Sequence, residues 1–344
     1  MAKNFKYLDE LIHGEVTEIV LDSDIILEGS EEFNYSNGIN LDVDDLLIDG
    51  NGFAVDACGK ARLFYCTGEN ITIKNLTLKN GFSKENGGAI HIDEGELTLI
   101  ESKLCNNQSS EDGGAIFNEE GVLSIVKSSF LDNESSEFGG AINNWGDLEI
   151  TDSVFKSNRA NRGGAIFNDD SALNINDSAF SNNSAGNGGA IVNNDGGELN
   201  IQKTSFKAND AENGGAILNE NCDIVISESI FESNTSSEDG GALHIRGEVS
   251  IHESKFSKNR SNHNGGVICA DRCDLSINAC LFNFNESSQN GGAIYGCDSE
   301  LSLKDSLFSE NIAKNSGGAM NLEDCVYDLE NTNFNENKPD DVCD

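Results

Sequence analysis

The chain has 344 residues, with 60 acidic side chains against 22 basic ones and a formal net charge of −38 at neutral pH. Surfaces that bind nucleic acid or anionic membranes need clustered Lys and Arg side chains, so this balance argues against both as partners. The longest apolar runs are only a few residues, far short of the roughly 20 that a membrane-spanning helix needs. The acidic balance favours a solvated, self-repelling surface, or one that binds divalent cations or a cationic partner.

The start of the chain has apolar residues at helical spacing, namely Phe5, Leu8, Leu11 and Ile12. We expect residues 1–20 to form an amphipathic cap, because a solenoid must protect the open end of its core. The N-terminal sequence has no apolar signal-peptide region, and the C-terminal sequence carries no anchor motif. These ends predict either a protein that stays inside the cell or a piece of a longer secreted chain.

Residues 21–86 contain short alternating segments without a fixed repeat, for example between Ile71 and Leu78. Alternation with a period of two is typical of β-strands. We therefore predict irregular coils of the same architecture as the repeats that follow. Asp44 and Asp45 are the only paired aspartates in this segment.

Residues 87–344 are dominated by one repeat with two coupled marks. The tripeptide Gly-Gly-Ala, or Gly-Gly-Val at residue 265, begins every unit of 24 to 26 residues, with ten copies between Gly87 and Gly317. Midway through each unit comes Phe-x-x-Asn, in which Leu104 replaces the first Phe. The Phe positions are Phe130, Phe155, Phe180, Phe206, Phe231, Phe256, Phe282, Phe308 and Phe334. The Asn positions include Asn133, Asn158, Asn183, Asn209, Asn234, Asn259, Asn285 and Asn311.

Each unit reads as three short strands, one after Gly-Gly, one at Leu-x-Ile and one at Ser-x-Phe. Units of this length without a helical pattern exclude leucine-rich and helical solenoids. We predict an all-β, right-handed parallel β-helix with a short N-terminal helical cap, forming one domain over residues 1–344. Stacking the coils turns each repeat position into a ladder, in which Phe rings fill the core and Asn amides satisfy turn backbone groups.

The coupled marks Gly-Gly-Ala-Ile and Phe-x-x-Asn resemble the repeats of the chlamydial polymorphic outer-membrane proteins. The lead-in at residues 47–52, 59–62 and 70–75 is similar to adhesin-like surface proteins of methanogenic archaea. The resemblance implies a β-helical stalk or passenger used in adhesion, at the cell surface or outside the cell. Its partner would be a glycan or a protein surface of another cell or of a matrix.

An enzyme of the pectate lyase or glycoside hydrolase type is the alternative, because parallel β-helices also carry pectin-degrading enzymes. Hydrolysis of a glycosidic bond needs two suitably separated carboxylates. The chain lacks the Asn-Thr-Asp, Gly-His-Gly and Arg-Ile-Lys elements of those enzymes, and Asp44-Asp45 is the best remaining candidate. We therefore expect no catalytic residues and a non-enzymatic protein; a cytoplasmic scaffold is a further alternative, favoured by the missing signal peptide and by cysteines expected to be free thiols.

Acidic residues precede many Gly-Gly corners, as at Glu85, Glu111, Asp112 and Asp239. Ca²⁺ needs several oxygen ligands, so a broken acidic stripe could bind it, although solvated corners explain the pattern as well. We expect no other cofactor and no metal site.

The second residue of the strand after Gly-Gly is predicted to point outward, because its neighbour points inward. Several residues in this column are large and apolar, which can mark a binding face on one flank of a repeat protein. Aromatic rings there could stack on sugars. The candidate ligand-binding residues are Phe117, Trp145, Phe167 and Tyr295. The alternative is that this column is partly buried.

Overall fold

The computed structural model describes residues 2–344; residue 1, the start of the predicted cap, lies outside the described residues. The chain divides into two compact units. Unit 1 comprises the residues up to Asn161 together with Ala165–Leu173, and unit 2 comprises Arg162–Gly164 and Asn174–Asp344. Both consist of short parallel strands, and the predicted fold class, an all-β right-handed parallel β-helix with a short N-terminal helix, is confirmed.

One coil of unit 1 illustrates the pattern. The Gly-Gly strand is Ile90–Asp93, the Leu-x-Ile strand is Glu96–Ile100, and the Phe strand is Lys103–Cys105. A fourth, two-residue strand, Gln108–Ser109, follows the Asn turn and adds to the three strands expected from the sequence. Its outward Gln and inward Ser offer no hydrophobic alternation, so only its parallel pairing with Glu134–Ser135 reveals it.

In unit 1 the Gly-Gly strands are Ile39–Leu41, Phe64–Cys66, Ile90–Asp93, Ile116–Glu119, Ile142–Asn144 and Ile166–Asp169. The Leu-x-Ile strands are Glu18–Val20, Leu47–Asp49, Ile71–Lys74, Glu96–Ile100, Val122–Val126 and Asp147–Thr151. The Phe strands are Ile25–Ile26, Ala54–Asp56, Thr77–Lys79, Lys103–Cys105, Ser129–Leu131 and Val154–Lys156, and the short strands are Phe82–Ser83, Gln108–Ser109 and Glu134–Ser135.

In unit 2 two pairs of Gly-Gly and Leu-x-Ile strands fuse into the long strands Leu243–His252 and Ile268–Asn278. The other Gly-Gly strands are Ile191–Asn194, Ile217–Asn219, Ile294–Cys297, Met320–Glu323 and Val342–Cys343. The other Leu-x-Ile strands are Leu173–Asn176, whose first residue belongs to unit 1, Leu199–Gln202, Ile224–Ser227, Glu300–Lys304 and Val326–Glu330. The Phe strands are Ala179–Ser181, Ser205–Lys207, Ile230–Glu232, Lys255–Ser257, Leu281–Asn283, Leu307–Ser309 and Asn333–Asn335. The short strands are Asp210–Ala211, Thr235–Ser236, Arg260–Ser261, Glu286–Ser287 and Ile312–Ala313.

The N-terminal helix, Phe5–Ile12, covers the core of unit 1 with three fully buried side chains, Phe5, Leu8 and Ile12. Asn4 caps the helix, since its Oδ1 accepts a hydrogen bond from the Tyr7 backbone N–H at 3.2 Å. The helix thus buries its apolar face where the first coil would otherwise expose its interior.

Phenylalanine rings stack along the core of each unit. In unit 1, Phe130 and Phe155 lie 4.7 Å apart and nearly parallel. In unit 2, Phe206, Phe231 and Phe256 repeat the arrangement with separations of 4.7 and 5.0 Å. In-register parallel pairing places like residues over like, so each ring packs against the ring of the next coil.

Buried asparagines form a second ladder. Asn133 donates from Nδ2 to Asn158 Oδ1 at 3.0 Å and to the Leu104 carbonyl at 3.1 Å, while its backbone N–H donates to Asn158 Oδ1 at 3.1 Å. In unit 2 Asn234 makes the same three bonds, with Asn259 as its side-chain partner. The backbone amides of both asparagines therefore find an acceptor in the next coil.

The Gly-Gly corner requires glycine at both positions. Gly188 has a φ of 60°, and a Cβ there would lie 2.6 Å from Val192 Cγ2. A Cβ on Gly114, the second glycine of its pair, would lie 2.1 Å from the Gly140 carbonyl oxygen of the next coil. The first glycine thus lies against the strand that follows it, and the second lies against the corner of the next coil.

Candidate binding sites

The predicted aromatic flank is mostly covered. Phe117 and Phe167 are only 1% and 3% exposed, so the expectation that these rings face solvent is wrong. The loop before the Gly139 corner covers Phe167, since the Phe138 ring stacks on it at 4.6 Å, and Phe117 packs between His91 and Trp145. The two rings are therefore core residues of unit 1, and a ligand could not reach them without displacing these neighbours.

Asp112 holds that covering loop in place. Its Oδ1 accepts a hydrogen bond from the Phe138 backbone N–H at 3.1 Å. Burial raises the pKa of the Asp112 carboxyl to about 6, an effect that the neighbouring carboxylates of Glu111 and Glu137 reinforce. The acidic corners predicted as a Ca²⁺ stripe thus serve, at this position, as acceptors for backbone amides.

Trp145 and Tyr295, the other two candidates, do reach the surface. Trp145 is 41% exposed. Tyr295 is partly exposed, and its hydroxyl donates to Glu323 Oε2 at 2.9 Å. Trp145 belongs to unit 1 and Tyr295 to unit 2, so they are described as separate surfaces.

One contact pattern recurs beside these residues. The second residue of a Gly-Gly strand reaches the residue 28 positions later, in the next coil. Tyr65 donates to Asp93 at 2.5 Å, and His91 Nε2 lies 2.8 Å from Glu119 Oε2. The hydrogen bond to Asp93, followed by burial, raises the pKa of Tyr65 to about 12, whereas burial lowers the pKa of His91.

Where the second residue is apolar, the pattern changes. Phe117 has no polar group to offer, and its partner 28 positions later is Trp145, with ring centroids 4.9 Å apart at an angle of 73°. A ring contact of this edge-to-face kind replaces the hydrogen bond of the neighbouring coils. Trp145 is consequently held at the surface by a buried ring beneath it.

A groove of about 450 Å³ lies on the outer face of the Leu-x-Ile strands in unit 2. Its floor is a column of Ser250, Ser276 and Ser302, which are paired in register on adjacent strands. We call this feature the serine groove. Small side chains between larger ones leave a trough that runs along the stacking direction, with adjacent strands roughly 4.8 Å apart.

A column of carboxylates forms one wall of the serine groove. Glu248, Asp274 and Glu300 are in register on the same three strands, and Asp328 continues the serine column on the next strand. None of the twelve described residues that line the groove is basic. Lys304, on the far side of the serine column, is already paired with Glu330 at 3.0 Å.

The sequence contains the repeated pattern that forms the serine groove. Ser250, Ser276 and Ser302 recur at steps of 26 residues, each two positions after an acidic residue. Alternation alone does not show how deep a polar column lies between its neighbours, so these serines are not among the site residues predicted from the sequence.

The remaining predictions concern the Asp44-Asp45 pair, the cysteines and metal binding. Asp44 Oδ1 accepts from the Glu69 backbone N–H at 2.9 Å, and Asp45 Oδ1 accepts from Asn70 Nδ2 at 2.6 Å, so this aspartate pair braces the next coil. All ten cysteines are free thiols. Within residues 2–344, no three His, Cys, Asp or Glu side chains come together in a way that could hold a metal ion.

Comparison with known families gives one match. Five segments, residues 102–119, 152–169, 177–194, 228–246 and 253–271, match the Chlamydia polymorphic membrane protein (Chlamydia_PMP) repeat. They run from a Phe strand to the following Gly-Gly strand and together cover well under half of the chain. No curated protein matches the chain. No helix among the described residues has the length and apolar character that a membrane crossing requires.

Proposed function

We propose that this chain is a non-catalytic, adhesin-like β-helix that binds a cationic segment of a protein partner in the serine groove of unit 2. The observation that carries the proposal is the register of the groove: three carboxylates and three serines repeat on adjacent strands, with no basic residue in the lining. The match to polymorphic membrane protein repeats supports an adhesive or structural role over a catalytic one.

The electrostatics of the groove favour a cationic occupant. Carboxylates that stack at the strand spacing of roughly 4.8 Å would repel one another by about 1 kcal/mol per pair in water. A Lys or Arg side chain placed between them turns this repulsion into attraction, and the serine hydroxyls can both donate and accept hydrogen bonds to a peptide backbone. The net charge of −38 would also speed the approach of a basic partner.

A binding role also fits the chemistry that the lining lacks. Lyases of the pectin-degrading type use a basic residue to abstract the proton, and none of the described lining residues is basic. We propose a location at the cell surface, which the likeness to chlamydial repeats supports. The likeness of residues 47–52, 59–62 and 70–75 to archaeal adhesin-like proteins stays a prediction that points the same way.

The test is a titration with a fluorescently labelled octa-lysine peptide at about 0.15 M ionic strength, where charges more than about 8 Å apart are screened. We expect saturable binding by the wild-type chain. The triple variant Glu248→Gln, Asp274→Asn, Glu300→Gln keeps the shape of the groove and removes its charge. We expect it to bind at least ten-fold more weakly, a loss of about 1.4 kcal/mol.

The matched control removes three carboxylates elsewhere: Asp132→Asn, Asp152→Asn and Asp170→Asn, all exposed and all in unit 1. Both triple variants have the same net charge. Binding that the control keeps and the groove variant loses supports the proposal. Equal weakening of the two would mean that the peptide responds only to total charge, and the serine groove would not be the site.

A further inference from the structure

We propose that Trp145 is the stacking platform of a second site, in unit 1, and that this site binds a neutral saccharide. This site differs from the serine groove in its unit and in the class of ligand that it would bind. It rests on the position of Trp145, on the rings that hold it and on the carboxylates beside it.

Trp145 interrupts a run of acidic residues in unit 1. It follows Asn144, just as Glu119 follows Asn118 and Asp169 follows Asn168 in the two adjacent strands. The column therefore reads Asp, Glu, Trp, Asp from residue 93 to residue 169. A single large ring flanked on both sides by carboxylates is not required for packing, because the acidic residues at this position are accommodated without it.

The ring is fixed before any ligand arrives. Phe117, itself 1% exposed, contacts it from below at 4.9 Å, and His91 contacts Phe117 in turn at 5.0 Å. The Trp145 backbone N–H donates to the Asn118 carbonyl at 2.8 Å. A ligand that stacks on a ring held in this way loses little affinity to ordering the side chain.

The exposed ring and the flanking carboxylates suit a sugar. The C–H-bearing face of a pyranose is apolar and can pack on an indole, while its hydroxyls donate hydrogen bonds to carboxylates. Glu119 is oriented by His91 at 2.8 Å, and a carboxylate has room for about four hydrogen bonds, so one existing partner leaves acceptor capacity. The surrounding negative charge disfavours uronate and sulfated glycans, which leaves neutral saccharides.

Trp145 is the only tryptophan in the chain, so its fluorescence reports on this site alone. The experiment titrates the full chain with neutral hexasaccharides of glucose, of mannose and of N-acetylglucosamine, with polygalacturonate as the anionic comparison. Ligand concentrations extend to about 10 mM, which would nearly saturate a site with a Kd on the order of 1 mM. We expect a saturable change in emission with at least one neutral hexasaccharide and none with polygalacturonate.

Variants then locate the binding by calorimetry. Trp145→Ala should weaken it at least ten-fold, and Trp145→Phe, which keeps a ring, should weaken it less. Val154→Ala is the matched control, since Val154 is 40% exposed in the same unit. A circular dichroism spectrum and melting curve show that each variant is folded.

Either of two results would overturn the proposal: no emission change with any neutral hexasaccharide, or binding that Trp145→Ala leaves intact. The triple variant that removes the three carboxylates of the serine groove should bind the saccharide as the wild-type chain does. The saccharide titration and the octa-lysine titration therefore succeed or fail independently.

Discussion

Units 1 and 2 bury the same ladders but expose different side chains on the outer face of their Leu-x-Ile strands. In unit 2 the first outer column is acidic at Glu248, Asp274 and Glu300, and the second is serine throughout those strands. In unit 1 the equivalent first column is interrupted by Val122, which is 46% exposed, and the second by Glu149.

This difference shows that the buried ladders determine the fold, whereas the outer columns determine what the surface can bind. Phe and Asn ladders depend on identity from coil to coil, because each side chain's partner is its own equivalent. Outer columns carry no such constraint, so each unit can present its own chemistry on the same frame: a carboxylate-lined groove in unit 2 and a supported tryptophan in unit 1.

The strongest test of equivalent ladders removes one ring from each unit. Phe130→Ala in unit 1 and Phe231→Ala in unit 2 should each lower the free energy of unfolding by about 3–5 kcal/mol, since both rings are fully buried. Urea unfolding measures the loss. Ile230→Ala, at an exposed neighbour of Phe231, should cost well under half as much. Costs that differ strongly between the two Phe variants would contradict the equivalence of the units.

The asparagine ladder should follow with a somewhat smaller effect. Asn133→Ala and Asn234→Ala each leave a backbone amide of the preceding coil and a carbonyl without their partners. Unsatisfied buried groups cost about 1–3 kcal/mol each, so we expect a loss of about 3 kcal/mol in either unit. Asn→Leu variants fill a similar volume but can neither donate nor accept, so they should lose at least as much stability. Full recovery with Leu would mean that the asparagines act only by filling space.

Asp112 gives a pH-dependent difference that the serine groove should not share. Its folded pKa, about 6, lies above the ordinary value of 3.8. Between those values the unfolded chain ionises first and binds fewer protons, so this carboxyl lowers stability as pH rises through the window. Asp112→Asn should therefore stabilise the protein at about pH 8, on the order of 1 kcal/mol after allowing for partial exposure, and change little at about pH 3.5.

Thermal unfolding at the two pH values measures this effect. Asp152→Asn, at an exposed turn position of the same unit, is the comparison for the loss of one carboxylate. A stabilisation by Asp112→Asn that does not depend on pH would mean that ionisation of the carboxyl is not its cause.

The smallest effect is expected at turn residues with left-handed backbone. Lys127 in unit 1 and Lys203 in unit 2 have φ values of 49° and 50°. A residue with a side chain is strained by roughly 1–2 kcal/mol in this backbone region, and glycine removes that strain. Glycine also makes the unfolded chain more flexible, which offsets part of the gain in stability. Lys127→Gly and Lys203→Gly should each stabilise the protein by about 0.5 kcal/mol, measured as a small rise in melting temperature.

The sequence predicts the ladders well because their signal is local and repeated: the positions of Phe231 and Asn234 recur in each repeat, with Leu104 as the one exception to Phe, and each has one role. It predicts less where the contact comes from an irregular loop. Phe167 is buried by Phe138, which stands directly before Gly139, where other repeats have polar residues such as Asp112 and Asn187. The fourth strand was missed since two residues such as Gln108 and Ser109 carry no period.

The candidate sites show the same limit. Alternation identifies Ser276 and Asp274 as outward residues, but the depth of a groove depends on the volumes of neighbouring columns in adjacent coils. The sequence identifies Trp145 as a candidate only by its aromatic ring. The contact with Phe117 that supports this ring joins residues 28 positions apart, so it can be predicted only when the geometry of the coils is known.

The central claim is that a cationic partner selects the serine groove from all the acidic surface of the chain, and zero-length cross-linking tests it most directly. Carbodiimide joins a lysine amine to a carboxylate only when the two are in contact. With octa-lysine bound, peptide mapping should place the cross-links on Glu248, Asp274 and Glu300 in unit 2. Cross-links spread over the exposed carboxylates of both units would contradict the account.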